Sequence, residues 1–121
     1  MGNRGRNVGL AFHWYLQRIT AIILMIGLFV HFYVIHFTID RPITFEKVQA
    51  RLLSPGWLIF DSILLIAVIY HALRGFYNVI CDYNPRESVK KIVSWCLTVL
   101  GIFLIIYGIY ILIPFTQVGG V

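Results

Sequence analysis

YHALRGFYNVICDY, residues 70–83, begins inside a long apolar run and ends at a polar boundary marked by Pro85. A histidine at membrane depth is costly to keep without a partner, so His71 is a candidate binding residue. Gly75 lies one helical turn further along the same face and leaves space beside the imidazole for a flat group. Asp82 and Tyr83 place an acid and a phenol at the water boundary. Together these features suggest a haem beside His71 and a second small-molecule site at the end of the stretch.

The composition indicates a membrane protein. Of the 121 residues, 60% are hydrophobic and only 12% are charged, and the mean hydropathy is +0.83. A soluble domain of this length could not bury so much apolar surface. The net charge is +5, but the basic residues lie beside the apolar runs. That position is typical of topology signals and not of a nucleic-acid interface.

The sequence predicts an all-α integral membrane protein with a single domain over residues 1–121. The predicted elements are an extended basic segment (1–12), helix I (about 17–39), an interfacial helix (about 44–54), helix II (about 57–80) and helix III (about 89–113). Each long run reaches the ~20 residues that cross a hydrocarbon core of ~30 Å. Thr44 is a candidate N-cap for the interfacial helix. Pro114 is expected to end helix III.

Lysine and arginine predict the orientation in the membrane. The N-terminal side and the loop after helix II carry seven basic residues, against three in the loop after helix I: Arg4, Arg6, Arg18, Arg74, Arg86, Lys90 and Lys91 against Arg41, Lys47 and Arg51. The positive-inside rule therefore places the N-terminus, with Asp82 and Tyr83, on the cytoplasmic or matrix side.

The four histidines differ in predicted depth. His71 lies roughly 15 Å from the inner boundary, and His31 lies roughly 21 Å from it, in the outer half. For His71 the depth and the polar exit favour a ligand. For His31 a ligand and a hydrogen-bonded core histidine both stay open. His36 and His13 lie near the outer and inner interfaces, where hydrated interfacial histidines are the simpler interpretation.

Two motifs resemble the membrane-anchor subunits of succinate dehydrogenase. Residues 14–21 match that family's W-x-x-Q-R-x-T-A entry to the first helix, and residues 71–83 match its H-A-x-x-G-x6-D-Y segment. The resemblance covers all three spans, nearly the whole chain. In that family two small anchor subunits contribute three helices each. Together they hold haem b, bind quinone and dock the iron–sulfur and flavoprotein subunits.

The resemblance implies roles for particular residues. His71 becomes an axial ligand of the haem iron, with the other ligand supplied by the second anchor subunit. Tyr83, with Asp82, becomes part of the quinone site, where the phenol donates a hydrogen bond to a quinone carbonyl oxygen. Arg18 falls where the family places an arginine near the haem propionates and the quinone pocket. Arg74 either pairs with a propionate in the same way or extends toward the interface.

His31 extends this pattern to a second haem. Family members with two haems have one histidine on a first-type helix toward the outer face and another on a second-type helix toward the inner face. His31 and His71 match that arrangement in helix and in depth. Gly27, four residues before His31, is expected to clear its helix face as Gly75 does for His71. From the positions of His31 and His71 we expect two b haems per complex, shared with the second anchor subunit; the resemblance itself is compatible with one haem or two.

The implied function is electron transfer from succinate oxidation to quinone. The dehydrogenase chemistry belongs to partners, since the chain has no flavin motif and no cysteine cluster for iron–sulfur ligation. The expected partners are the second anchor, iron–sulfur and flavoprotein subunits and membrane lipid, with no nucleic acid. The expected location is a bacterial or archaeal cytoplasmic membrane in preference to a mitochondrial inner membrane. A fumarate reductase anchor and a structural or transport protein stay open as alternatives.

Overall fold

The computed structural model describes the backbone of residues 2–117 and the side chains of residue 5 and residues 8–113. Within these ranges the chain forms four α-helices and no strand: α1 (Gly2–Tyr33), α2 (Phe45–Leu52), α3 (Pro55–Asp82) and α4 (Glu87–Gln117), with a π-helical turn, Val34–Thr38, extending α1. Three stretches are long and apolar enough to cross a membrane: Val8–Thr38, Pro55–Asp82 and Glu87–Ile113. The prediction of an all-α, three-span protein is confirmed.

The N-terminal segment is helical, so the prediction of an extended chain over residues 1–12 is wrong for its described part. α1 begins at Gly2 and continues unbroken to Tyr33. Gly5 and Gly9 each disfavour helix by about 1 kcal/mol relative to alanine. However, no proline interrupts this segment, and extending an existing helix requires no new nucleation. The helix of the first hydrophobic span therefore extends into the basic segment that precedes it.

The C-terminal helix also exceeds its predicted bounds. α4 continues past Pro114 to Gln117, so the prediction that Pro114 ends helix III is wrong. A proline removes its own backbone N–H from the helical hydrogen-bond ladder, and a long helix can tolerate that local loss with a kink.

α2 is a short surface helix after the first span. Thr44 occupies its N-cap position, as predicted, but makes no capping hydrogen bond. Hydrogen bonds to the Glu46 carboxylate, from its own backbone N–H and from the Thr44 side chain, instead lower the pKa of Glu46. α2 contacts α3 and α4 and buries Leu52, which is 4% exposed. One apolar side of this helix thus docks on the membrane helices.

α3 lies at the centre of the bundle, in contact with α1 and α4. Two glycines let α4 approach it closely. A Cβ at position 108 would lie 2.5 Å from Leu65 Cδ2, and a Cβ at position 101 would lie 2.9 Å from Leu73 Cδ1. Small residues at helix contacts are the usual means of close packing between membrane helices.

The buried core lies between α1 and α3, where Leu24, Leu64 and Ala67 pack together. Most large apolar side chains of the spans point outward; Phe29, for example, is 74% exposed, and Trp95 is 73% exposed. Such continuous apolar surface requires lipid or partner subunits around it.

The end of α3 positions the predicted quinone-site residues. Asn84 adopts a left-handed backbone conformation with φ of 50°, which asparagine tolerates better than most residues. Pro85 follows, and α4 begins at Glu87. This sharp reversal leaves Tyr83 at the exposed corner between α3 and α4.

Candidate ligand sites at two histidines

His71 is oriented by a hydrogen bond from α3 to α1. Its Nδ1 lies 3.1 Å from Thr20 Oγ1. The same hydroxyl lies 2.8 Å from the Leu16 carbonyl oxygen and 3.1 Å from that of Gln17. Because a hydroxyl has only one hydrogen, and these carbonyls accept it, Thr20 Oγ1 accepts the bond from His71. In the neutral ring His71 therefore carries its hydrogen on Nδ1, and Nε2 keeps the lone pair that an iron ligand needs.

Gln17 fixes the backbone beside this imidazole. Its Nε2 donates to the His71 carbonyl oxygen over 3.2 Å, while its Oε1 is buried with no hydrogen-bond partner among the described residues. A Cβ at position 75 would lie 3.4 Å from Gln17 Nε2. Gly75 therefore faces a side chain of α1, whereas the sequence predicted open space for a ligand at this point.

A cavity of about 540 Å³ adjoins His71, and its lining includes both predicted propionate partners, Arg18 and Arg74. The Arg18 guanidinium carbon lies 4.4 Å from the centre of the Trp14 ring. That of Arg74 lies 4.9 Å from the centre of the Tyr77 ring. Cation–π contacts at these distances restrain both guanidinium groups. The structure thus brings His71, Arg18 and Arg74 together at one cavity.

This set of donors fits a haem. An imidazole with a free Nε2 can ligate iron axially, and guanidinium groups form bidentate hydrogen bonds with carboxylates such as propionates. The cavity volume lies within the roughly 300–1,000 Å³ of ordinary small-molecule and cofactor sites.

Asp82 and Tyr83 lie apart from that cavity and do not contribute to its lining. Tyr83 is 84% exposed, and it lies nine residues beyond Arg74, roughly 13 Å along the helix axis. A small-molecule site usually buries most of its ligand. A quinone site at Tyr83 therefore requires walls from partner subunits.

His31 belongs to a charged network that joins three helices. Its Nδ1 lies 3.2 Å from Asp61 Oδ1. Arg51 of α2 donates to both oxygens of the same carboxylate, from Nη1 to Oδ2 over 2.7 Å and from Nη2 to Oδ1 over 3.0 Å. The side chains of Arg51 and Asp61 are only 9% and 10% exposed. An ionised carboxylate only accepts hydrogen bonds, so His31 donates from Nδ1, and in the neutral ring Nε2 keeps its lone pair.

A second cavity, of about 500 Å³, adjoins this network. His31, Arg51 and Asp61 form its polar part, and aliphatic side chains from all four helices form the rest. A mostly apolar wall with a few convergent polar groups is the usual makeup of a ligand site.

The sequence predicted that Gly27 clears space for a flat ligand, and this prediction is wrong. A Cβ at this position would lie 2.7 Å from Leu64 Cδ1, so the space beside it already holds a side chain of α3. The glycine therefore serves the packing of α1 against α3.

Asp61 was not among the predicted site residues, and Arg51 was predicted only as a topology charge. The available signal was an aspartate within the apolar run of helix II, since an ionisable residue at membrane depth indicates a partner or a function.

The two remaining histidines are also engaged. His13 Nδ1 lies 3.0 Å from the Tyr70 hydroxyl, so this side chain joins α1 to α3, contrary to the prediction of a merely hydrated interfacial residue. His36 is exposed. Its Nδ1 lies 2.7 Å from Arg41 Nη2, in line with the interfacial prediction.

The fold and sites define a small integral membrane protein with three spans and a hydrogen-bonded histidine beside a cavity at each of two depths. Residues 7–106 match the family described as succinate dehydrogenase/fumarate reductase transmembrane subunit. The chain belongs to this family, and the resemblance seen in its two motifs is confirmed.

Similar proteins carry the name succinate dehydrogenase hydrophobic membrane anchor subunit. That of Archaeoglobus fulgidus is 30% identical over 82% of this chain and 85% of its own length. That of Thermoplasma acidophilum is 32% identical over 78% of this chain and 77% of its own length. That of Coxiella burnetii is 26% identical over 74% and 78%, respectively. The similarity thus extends over most of this chain and of each relative.

Proposed function

We propose that this chain is a membrane anchor of a succinate:quinone oxidoreductase, in which His71 binds the iron of a b-type haem through Nε2. The observation that carries this proposal is the hydrogen bond to Thr20, because in the neutral ring it leaves the lone pair on Nε2. When bound, the haem supplies a one-electron carrier. The chain's own residues hold and orient that group.

Arg18 and Arg74 are proposed to pair with the haem propionates. Both line the cavity beside His71, and both are held by aromatic rings. Guanidinium groups stay charged at all physiological pH values and match the planar geometry of carboxylates. Their positive charge would also offset the propionates in a medium that solvates ions poorly.

Tyr83 and Asp82 are proposed to contribute to the quinone site. The exposed phenol can donate a hydrogen bond to a quinone carbonyl oxygen. Asp82 lies beside it at the end of α3, so protons can reach the site from the inner aqueous side. Partner subunits would close this site over the exposed corner.

The chain is proposed to assemble with a second anchor subunit, an iron–sulfur subunit and a flavoprotein subunit. The second anchor would supply a further ligand to the haem iron and cover part of the exposed apolar surface of the spans. The names of the relatives favour succinate oxidation over fumarate reduction. Their archaeal and bacterial sources favour a cytoplasmic membrane over a mitochondrial one.

His31 is proposed to bind a second b-type haem on the outer side. Asp61 orients the ring so that Nε2 is the free nitrogen, and the adjoining cavity of about 500 Å³ is mostly apolar. The alternative is a core histidine satisfied by Asp61 alone. The two possibilities differ in haem stoichiometry.

The test is the ratio of haem to complex, measured by pyridine haemochrome on the purified complex. We expect two haems in the parent and one in each of His71→Ala and His31→Ala, with different low-spin spectra remaining. His36→Ala, on the exposed end of the first span, is the matched control and should retain both haems. An unchanged spectrum in His71→Ala would contradict the main proposal. One haem in the parent would remove His31 from the ligands and leave His71.

A further inference from the structure

We propose that Asp61, held in place by Arg51, positions His31 and sets the midpoint potential of the haem that His31 binds. This inference rests on the proposed function of His31. It assigns a role to two residues of helices α2 and α3 that belong to neither sequence motif.

The geometry restricts the carboxylate to one arrangement. Both of its oxygens bind Arg51, and one of them also accepts from His31. Two hydrogen bonds in a fork fix the plane of the carboxylate as well as its position. The Arg51 guanidinium carbon in turn lies 4.8 Å from the centre of the Trp57 ring. The orientation of His31 therefore depends on Arg51 of the surface helix α2, which Trp57 of α3 in turn restrains.

The chemistry of the acceptor distinguishes this site from that of His71. A carboxylate that accepts the Nδ1 hydrogen makes an imidazole a stronger electron donor at Nε2 than a hydroxyl does. Stronger donation stabilises ferric over ferrous iron and so lowers the midpoint potential. Arg51 holds this buried carboxylate in a bidentate ion pair. The charge on Asp61, and not merely its shape, should thus act on the outer haem.

Asp61→Asn tests this role because it retains the shape and a neutral acceptor. Redox titration of the purified complex, followed in the haem absorption bands, should show a higher midpoint potential for the outer haem and no shift for the inner one. Ser62→Ala is the matched control on the next residue of α3, since the Ser62 hydroxyl donates within its own helix to the Leu58 carbonyl oxygen. This control should shift neither haem.

Asp61→Asn leaves the buried Arg51 without its counter-ion, and the protein could misfold for that reason alone. A second variant tests the same role without an unpaired buried charge. Arg51→Gln combined with Asp61→Asn removes both charges together, a change that buried ion pairs often tolerate. It should raise the outer potential in the same direction. Loss of the outer haem alone, in either variant, would also support the proposal that Asp61 positions His31.

Other outcomes overturn the inference. Two haems with an unshifted outer potential would refute it and leave the proposed function intact. One haem in the parent would refute it together with the proposed role of His31, while the role of His71 would stand. Failure of the double variant to assemble would show a purely structural role for the pair.

Discussion

The inner and outer histidine sites favour the same imidazole tautomer through different hydrogen-bond acceptors. His71 on α3 donates from Nδ1 to Thr20 on α1, and His31 on α1 donates from Nδ1 to Asp61 on α3. The inner acceptor is a neutral hydroxyl, whereas the outer acceptor is a carboxylate in a bidentate ion pair with Arg51. One tautomer can therefore be selected with or without a buried charge.

The difference has a structural consequence. The inner site depends on α1 and α3 alone, which pack along a shared core. The outer site also depends on α2, because Arg51 is part of that helix. A change that disrupts the docking of α2 should therefore disturb the orientation of His31 and leave that of His71 unchanged.

Arg51→Ala should have the largest effect on stability. It leaves the Asp61 carboxylate buried without its partner, and loss of one member of a buried pair typically costs about 3–5 kcal/mol. Thermal unfolding of the purified complex in detergent, followed by circular dichroism, measures the change. Lys90→Ala is the control, because it breaks an ion pair at the surface: the Glu87 side chain that pairs with Lys90 is 82% exposed. Equal losses of stability in Arg51→Ala and Lys90→Ala would show that the buried Asp61 carboxylate does not need Arg51 as its partner.

Gly27→Ala and Gly75→Ala compare the two glycines near the histidines. The Cβ at position 27 would lie 2.7 Å from Leu64 Cδ1, and the one at position 75 would lie 3.4 Å from Gln17 Nε2. We expect the first change to destabilise the bundle by about 1–3 kcal/mol through overpacking and the second to cost less. Unfolding midpoints of the two variants check the order. The reverse order would indicate that Gly75, and not Gly27, carries the close contact.

The sequence predicted the three spans because long apolar runs report directly on length and hydropathy. The family resemblance implied that His71 and Arg18 lie near one haem and left Arg74 open between a propionate partner and an interfacial side chain; all three line one cavity in the structure. The sequence did not reveal the pairing of Arg51 with Asp61, since these residues are ten positions apart and separated by a chain reversal at Pro55. Such a pair depends on how α2 docks, and no local periodicity encodes that.

The glycines show a second limit of the sequence. A glycine one turn from a histidine indicates that space is left on a helix face, but it does not indicate what fills that space. At Gly27 the space is filled by Leu64. Only the packing of α1 on α3 decides between a ligand and a side chain.

Tyr83→Phe should affect quinone reduction and neither histidine site. The change removes one hydroxyl from an exposed corner, and a hydrogen bond is worth about 0.5–1.5 kcal/mol, so activity should fall by roughly tenfold at most. Steady-state quinone reductase assays, with haem content measured in parallel, test this expectation. Tyr110→Phe, near the other end of the bundle on α4, is the control. Normal quinone kinetics in Tyr83→Phe would place the quinone site elsewhere.

Thr20→Val should have the smallest effect, and it tests the comparison most directly. Thr20 is 8% exposed, and valine keeps its shape while removing the acceptor for His71. We expect the inner haem to be held about 1 kcal/mol more weakly, roughly a fivefold change in retention, with its absorption bands shifted and the outer haem unchanged. Haem release to an acceptor protein measures this change.

Two controls make the Thr20 result specific. Thr20→Ser restores a hydroxyl and should recover the inner haem, because the acceptor and not the methyl group orients the ring. Thr38→Val removes a hydroxyl that donates within the π-helical turn to the Val34 carbonyl oxygen over 2.6 Å, so it should leave both haems unchanged. If Thr20→Val instead retained the inner haem with its parental spectrum, the hydroxyl would not select the His71 tautomer. The inner site would then owe its geometry to the Gln17 bond to the His71 backbone, and only the outer site would depend on a side-chain acceptor.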